Sequence, residues 1–263
     1  MFRALYTAAS GMLAQQLNLD TIANNLANAS TVGFRETRLQ FQDLVYQEMV
    51  VPGSAATQQT TVSAGLQIGL GTRAASSEVL QLQGEYDNTG NSLDLAIQGA
   101  GFFQVKLTNG EIAYTRAGSF QLDQSGNVVT ANGNPLEPAI AIPTAATAIS
   151  VGTDGTVTVT MPGQTSALQV GVIQLATFPN PGGLNSVGAN LLLPTSSSGD
   201  PIVGTPGGAD GLGTLIQGSL EQSNVNTVEE FIQMILAQRS YEANSQVAKA
   251  ADQMFQEVNQ LGK

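Results

Sequence analysis

Asp94 stands alone in an apolar run, LDLAI at residues 93–97, and Glu85 lies two positions from Asp87. These are the carboxylates best placed for hydrolysis, which needs an acid and a base with tuned pKa values. Neither is accompanied by a nucleophile, a base or an electrophile. The chain of 263 residues has no His, no Cys and no Trp. Without His, no side chain has an unperturbed pKa near neutrality, and without Cys or His the usual zinc, copper, iron–sulfur and thiol sites are closed. Asp123 in DQSGN and Asp154 in DGT suggest calcium, but neither starts a twelve-residue loop ending in Glu, so hairpin turns are the better reading. The glycines of GLQIGLG at 65–71 are in the wrong order for a phosphate loop, and no Lys-Ser or Lys-Thr follows. The sequon at Asn28 closes an interface helix and is incidental. Asp94 is expected to cap a turn or to meet Arg116 across a sheet. The expectation is no enzyme, no cofactor and no metal.

Charge excludes a second class. Twenty acidic residues against nine basic give a net of −11, and only Arg35 and Arg38 approach a basic cluster. A nucleic-acid partner would need a basic stripe to release counterions. Charged residues make up 11% of the chain, against roughly 25% in an ordinary soluble domain. Amides, hydroxyls and glycine do the solvating instead, which suits close packing against copies of the same chain. No run of about 18 apolar residues offers a membrane span. The N-terminus turns amphipathic at once, so export, if it occurs, is expected without a cleaved signal peptide.

The elements that organise the chain lie at its ends. Leu5, Met12, Leu19 and Leu26 recur every seven residues, with Ala8, Ile22 and Ala29 three positions on. At the other end, Val247, Ala251, Met254, Val258 and Leu261 keep a four-then-three spacing after a denser run through Val228, Phe231, Ile232 and Ile235. A seven-residue repeat is the seam of a coiled coil. Neither stripe can be buried by its own helix, so a subunit built to assemble is the leading expectation. The front helix is predicted from about residue 2 to 29, with Gly11, Asn24, Asn25 and Asn28 as weak points and Gly33 able to take a left-handed cap. The back helix is predicted to open at Asn224 or Asn226 and to run to about residue 261, with Glu229 and Glu230 in its first turn. Arg239 and Glu242 interrupt its apolar stripe and are placed to set register between subunits.

Between the helices, residues 34–46 read as a short amphipathic piece with Phe41, Leu44 and Val45 on its apolar face. Residues 51–65 read as an extended polar arm or loop, and residues 66–73 alternate apolar and small residues like a strand. Short strands follow at 92–97, 101–107, 112–116, 119–122, 128–130, 148–151, 156–160, 168–175 and 215–220, separated by hairpin chemistry such as Asn109-Gly110. Residues 179–213 read as mostly irregular. The fold class expected is α+β: terminal helices forming a coiled coil, an extended arm and an inserted, mainly antiparallel β domain of sandwich or barrel type.

Several blocks carry a resemblance. SGMLAQQ at 10–16, LDTIANNLAN at 19–28 and TVGF at 31–34 are similar to the N-terminal signature of bacterial flagellar rod and hook proteins. LDLAIQGAGFF at 93–103 with YTRAGSF at 114–120 resembles the start of the β domain in the larger members. SNVN at 223–226, QRSYE at 238–242 and ADQM at 251–254 resemble the C-terminal signature. The blocks follow the family order over essentially the whole chain. The chain is longer than the small proximal-rod subunits, which lack the β domain, and shorter than a typical hook protein. QQTT at 58–61 followed by GLQIGLG resembles the distal-rod branch, with the larger proximal-rod branch as the alternative.

The resemblance implies a structural subunit that stacks helically around a channel, transmits torque and passes exported subunits. Its implied organisation is residues 1–33 paired with 224–263 as axial helices, 34–75 with 206–223 as a rod-type arm and return segment, and 76–205 as an outer β domain. It implies a self-assembly interface through Leu5, Met12, Leu19, Ile22, Leu26, Val228, Ile232, Ile235, Arg239, Glu242, Val247, Met254 and Val258. The arm residues tied to rod stiffness would be Gly53, Gln58, Gln59, Thr60 and Gly65. Implied partners are further copies of the chain, proximal-rod and hook proteins, ring proteins of the outer membrane and peptidoglycan, and the flagellar export apparatus. The implied location is the periplasm-spanning rod of the basal body, with no nucleic acid and no membrane span.

Overall fold

The computed structural model describes residues 2–261 except 53, 54, 58, 59, 62, 63, 164, 165, 209 and 210. The protein is α+β, with one long helix near each end and paired strands between them. Cα packing divides it into a helical unit (Met1–Ala27, Thr37–Glu78 and Asn226–Lys263) and a β unit (Asn28–Glu36 and Val79–Val225).

In the helical unit, α1 spans Phe2–Ala27 and α2 spans Thr227–Leu261. Asn226 caps α2: its Oδ1 accepts the N–H groups of Val228 at 3.1 Å and Glu229 at 3.4 Å. Helix α1 stops short of Ala29, so that residue falls off the predicted stripe. Gly33 does take a left-handed φ of +68°, but six residues past the helix end rather than as its cap. There its N–H donates to the Glu221 carbonyl at 2.8 Å. A Cβ at Gly33 would lie 2.7 Å from the backbone of Arg116 and Ala117, so only glycine fits this crossing.

The described residues of the expected amphipathic piece at 34–46 and of the extended arm at 51–65 contribute to nested strand pairs. These are β1 (Thr37–Asp43), β2 (Tyr46–Val50), β3 (Ala55–Thr57), β4 (Thr60–Thr61), β5 (Leu66–Gly69) and β6 (Thr72–Val79), paired β1 with β6, β2 with β5 and β3 with β4. Phe41, Val45, Tyr46, Met49 and Ile68 are all exposed, so neither face of β2–β5 imposes the alternation that marks a half-buried strand.

The β unit contains β7 (Tyr86–Asn88), β8 (Leu95–Gln98), β9 (Phe102–Lys106), β10 (Ile112–Thr115), β11 (Phe120–Leu122), β12 (Val128–Thr130), β13 (Ala148–Val151), β14 (Thr156–Thr160), β15 (Leu168–Val172), β16 (Leu175–Thr177), β17 (Asn185–Gly188), β18 (Leu191–Leu193), β19 (Ile202–Gly204), β20 (Thr214–Gln217) and β21 (Ser219–Glu221). Its main sheet has the order β17-β18-β10-β9-β16-β19; β13-β14-β15 form a second sheet, and β8–β20, β7–β21 and β11–β12 form two-stranded ribbons. Residues 179–213, predicted irregular, thus contribute three strands to the main sheet. The predicted strand at 168–175 breaks where the Ile173 N–H turns to the Gly155 carbonyl at 2.8 Å. The predicted strand at 215–220 breaks at Gly218, which has φ +75° and donates to the Asp94 carbonyl at 2.8 Å.

Both faces of the main sheet are covered. Phe103, Val105, Ala113 and Leu175 point into the large core with Ile97, Phe120, Leu136 and Leu215. Phe102, Tyr114 and Ala176 point the other way, into a smaller cluster with Phe178 and Leu184. That two-sided burial is why Phe102 and Phe103 stand side by side instead of alternating with exposed polar residues.

Candidate assembly interface

The helices of the helical unit run antiparallel. The Phe2 and Phe255 rings lie 4.8 Å apart, a Cβ at Gly11 would meet Asn244 Nδ2 at 2.8 Å, and Asn25 Nδ2 donates to Glu230 Oε1 at 3.3 Å. The buried positions along them are mostly small or polar. On α2, Glu230, Ala237 and Ala251 are buried, with Met234, Asn244, Ala248 and Phe255 half-buried. On α1, Ala8, Ala14, Ile22 and Asn25 are buried, with Gly11, Gln15 and Asn18 half-buried beside them. Small side chains let the two backbones approach closely. Gly11, a weak point for the isolated helix, is where Asn244 packs.

This placement sorts the predicted interface residues. Ile22 is buried, and Leu5, Met12, Leu19 and Leu26 are half-buried. Val228, Ile232, Ile235, Arg239, Glu242, Val247, Met254 and Val258 are exposed. Of the two predicted stripes, Ala8, Ile22 and Ala251 are buried in the helix pair, while the large apolar residues of the α2 stripe stay exposed. Tyr6, Leu13, Leu17, Phe231 and Leu236, absent from the predicted set, are exposed as well. Leu13 and Leu236 are missed because they lie outside the strict repeat, although a broader apolar arc would include them.

Of the arm residues, Gly53, Gln58 and Gln59 lie outside the described residues, and Thr60 opens β4. Gly65 precedes β5; a Cβ there would lie 2.6 Å from the Val50 carbonyl and from the Pro52 ring. At the base of the same ribbon, Gly71 (φ +119°) lies against α1, where a Cβ would overlap Ser10 Oγ.

The candidate chemical residues resolve into structure. Asp94 caps a turn: Asn91 Nδ2 donates to its Oδ1 at 3.0 Å and Thr89 Oγ1 to its Oδ2 at 2.6 Å. Asp123 accepts the N–H groups of Ser125 and Asn127 at 2.8 Å each and Asn127 Nδ2 at 2.9 Å. The Asn127 amide is the main reason its pKa falls below the usual value, and Thr156 does the same for Asp154. Glu85 and Asp87 are exposed.

Arg116 pairs not with Asp94 but with Glu221, which is fully buried in the β unit. Arg116 Nη1 lies 3.3 Å from Glu221 Oε2, Arg35 Nη2 lies 2.6 Å from Oε1, and the Gly84 N–H donates to Oε1 at 3.1 Å. Arg116 also donates to the carbonyls of Ile97 at 3.3 Å and Gly99 at 2.6 Å, with its guanidinium 5.5 Å from the Phe102 ring centroid. Burial pushes its pKa down to about 10, partly countered by the Glu221 charge. Beside this cluster, Asn224 Oδ1 accepts the Glu36 N–H at 2.7 Å and its Nδ2 donates to the carbonyls of Leu80 at 3.1 Å and Leu82 at 3.0 Å. Residues 33–36, 80–84, 97–99, 116 and 221–224 are thereby laced together. This is stitching without a reactive group.

A chain with a buried ionic joint, a β unit with its own apolar core and a helix pair studded with exposed apolar side chains has the build of a structural subunit. Among known families, residues 5–35 match the one described as Flagella basal body rod protein, residues 96–159 the Flagellar hook protein FlgE/F/G D1 domain, and residues 216–261 the Flagellar basal body rod FlgEFG protein C-terminal. The Flagellar basal-body rod protein FlgG of Buchnera aphidicola subsp. Schizaphis graminum is 48% identical over 261 residues, covering 99% of this chain and 100% of the relative. The FlgG of Buchnera aphidicola subsp. Acyrthosiphon pisum is 47% identical over the same coverage, and that of Caulobacter vibrioides is 46% identical over 98% of this chain and 99% of its own length. The chain belongs to the FlgG family of flagellar basal-body rod proteins. Its relatives are structural proteins of the flagellum, and among the described residues no helix is long and apolar enough to cross a membrane.

Proposed function

We propose that this chain is a distal-rod subunit that polymerises through its helical unit into a stiff, hollow helical drive shaft. In that polymer the α1–α2 pair forms a coiled-coil layer around the channel, the arm residues 34–75 stiffen the wall, and residues 76–205 face outward. The shaft spans the periplasm, carries torque to the hook and lets unfolded subunits pass to its growing end. Its partners would be proximal-rod and hook proteins, the outer-membrane and peptidoglycan rings and the export apparatus, reached without a cleaved signal.

The observation that carries this reading is the exposed apolar surface of the helical unit. Leu13 is 60% exposed, Val228 66%, and Ile235 and Leu236 55% each. So many large apolar side chains left exposed on one helix pair mark an interaction face. Covering one such side chain completely is worth about 1.5–3 kcal/mol, so half-exposed ones return roughly 1 kcal/mol each when capped. Arg239 and Glu242, exposed among them, are suited to fixing register between subunits.

The test is concentration. Sedimentation of purified protein should show monomer when dilute and long particles when concentrated, with straight hollow tubes by electron microscopy. A chain that stays monomeric at every attainable concentration, or that forms only amorphous aggregate, defeats the proposal. Deleting residues 53–64 should leave assembly intact but give tubes that bend more easily or vary more in length. Unchanged curvature and length would detach the arm from stiffness.

A further inference from the structure

Asn25 sits in the last turn of α1, where an amide side chain is a poor helix former, and yet it is only 2% exposed. Its carboxamide is spent almost completely. Oδ1 accepts the Thr37 N–H at 3.0 Å, while Nδ2 donates to the Thr37 carbonyl at 2.9 Å and to Glu230 Oε1 at 3.3 Å. The Thr37 pair fixes which end of the amide is which, since a backbone N–H can only donate and a carbonyl can only accept. Thr37 is the first residue of β1, and Glu230 lies in the first turn of α2, 6% exposed. One side chain therefore plays the neighbouring strand for the start of β1 and at the same time satisfies a carboxylate of the partner helix.

We infer that Asn25 couples the two halves of the helical unit, so that β1, and through it β6, is ordered only when α1 and α2 are paired. The inference rests on contacts inside the helical unit and stands whether or not the chain polymerises. No other side chain does this work. Ala or Leu offers neither donor nor acceptor. Asp keeps the acceptor for the Thr37 N–H but has nothing to donate to the Thr37 carbonyl, and it sets a second carboxylate against Glu230. Pairing matters because α2 supplies the lid over this site: Glu230 holds one Nδ2 proton while Thr37 holds the other.

The experiment is hydrogen exchange on the full-length chain, comparing α1, β1 and, as internal control, β9. In N25A, two backbone bonds of β1 are lost, and β1 exchange should quicken about tenfold or more, since each net hydrogen bond is worth about 1 kcal/mol. Exchange in β9 should stay as in the parent. In A251E, a carboxylate enters the helix seam at a position 1% exposed. Exchange should then quicken in α1 and β1 together, although Ala251 is far along α2 from β1. N25D should resemble N25A or be worse. N25D with E230Q should regain protection in α1, because Gln can donate to the new carboxylate, but not in β1, whose Thr37 carbonyl still lacks its donor. That split is one that loss of general stability cannot produce. The inference falls if N25A leaves β1 exchange within about twofold of the parent. It falls equally if A251E loosens the helices while β1 keeps its protection.

Discussion

Phe103 on β9 and Phe231 on α2 are the same side chain in opposite circumstances. The first is fully buried, meets Phe120 edge-to-face at 5.1 Å and is ringed by Val105, Leu136 and Leu175; the second is half exposed on a helix whose inward face is built of Ala, Asn and Met. The two units thus handle apolar surface differently. The β unit gathers a large apolar core and closes charges on one another, as Arg35, Arg116 and Glu221 do, although Leu82, Leu168 and Ile202 remain exposed. The helical unit buries mostly small residues between its helices and leaves most of its large ones outside. A unit of the first kind has a core of its own, whereas one of the second kind gains most when something covers it.

The comparison is strained most by attacking the β unit. Phe103→Ala should destabilise it by about 3–5 kcal/mol, as deletion of a buried aromatic does. Glu221→Ala should cost a similar amount, about 3–5 kcal/mol, because two guanidinium groups would then share a buried site without their counter-charge. Urea unfolding followed by near-ultraviolet Tyr and Phe signals reads both. The contrast between the units fails if either variant unfolds at the parent's midpoint.

A substitution in the helical unit should behave in reverse. Leu13→Ser with Ile235→Ser changes exposed positions, so the monomer's unfolding midpoint should move by no more than about 0.5 kcal/mol in free-energy terms. Polymerisation should suffer far more, with the concentration for onset raised at least tenfold by the loss of two apolar caps at about 1 kcal/mol each. Light scattering against concentration measures this. Normal assembly of the double variant would mean that the polymer is built through some other face.

A smaller effect is expected at Gly11. Gly11→Ala gains about 1 kcal/mol of helix propensity, yet its Cβ would arrive 2.8 Å from Asn244 Nδ2, the movable end of a side chain. Asn244 can swing aside, so far-ultraviolet circular dichroism on heating should show a helix pair as stable as the parent's or slightly more so. A fall in helix stability beyond 1 kcal/mol would show that the seam has no slack at all.

How much of this could be read in the sequence varies with what makes each element. The β hairpins around Asn109-Gly110 and Asp123 are legible because local turn chemistry dictates them. Asn226 is legible as a cap for the same reason. The seam was legible only in part, at Ala8, Ile22 and Ala251, because periodicity weighs size, while Gly11, Ala14, Ala237 and Asn244 are small or polar. The large residues of the α2 stripe are exposed. Glu221 carried no signal, and Asn224 was read only as part of the C-terminal signature and as a candidate helix cap, since their partners at 35, 36, 80, 82 and 116 are distant in the chain. Asn25 did leave one. A poor helix former inside a predicted helix needs a reason, and its reason is Thr37 and Glu230.

The mildest probe asks whether even the exposed turns of the β unit are self-contained. Asp123 is fully solvent-accessible, and its carboxyl is held below the usual range first by the Asn127 side chain and then by backbone N–H groups at 125–127. A folded-state pKa below the unfolded one, about 3.9 for Asp, means that this turn favours folding above that value. The contribution fades as pH drops through the lowered folded value. Asp123→Ala should therefore lower the melting temperature slightly at about pH 6, and the gap between variant and parent should shrink as acid protonates the parent's own carboxylate. A gap that is constant down to about pH 2 would assign the effect to turn geometry alone, and a gap that widens in acid would reverse the sign of the linkage. Added salt should change the gap little, because the bonds are short and local and the turn sequence DQSGN has no basic residue.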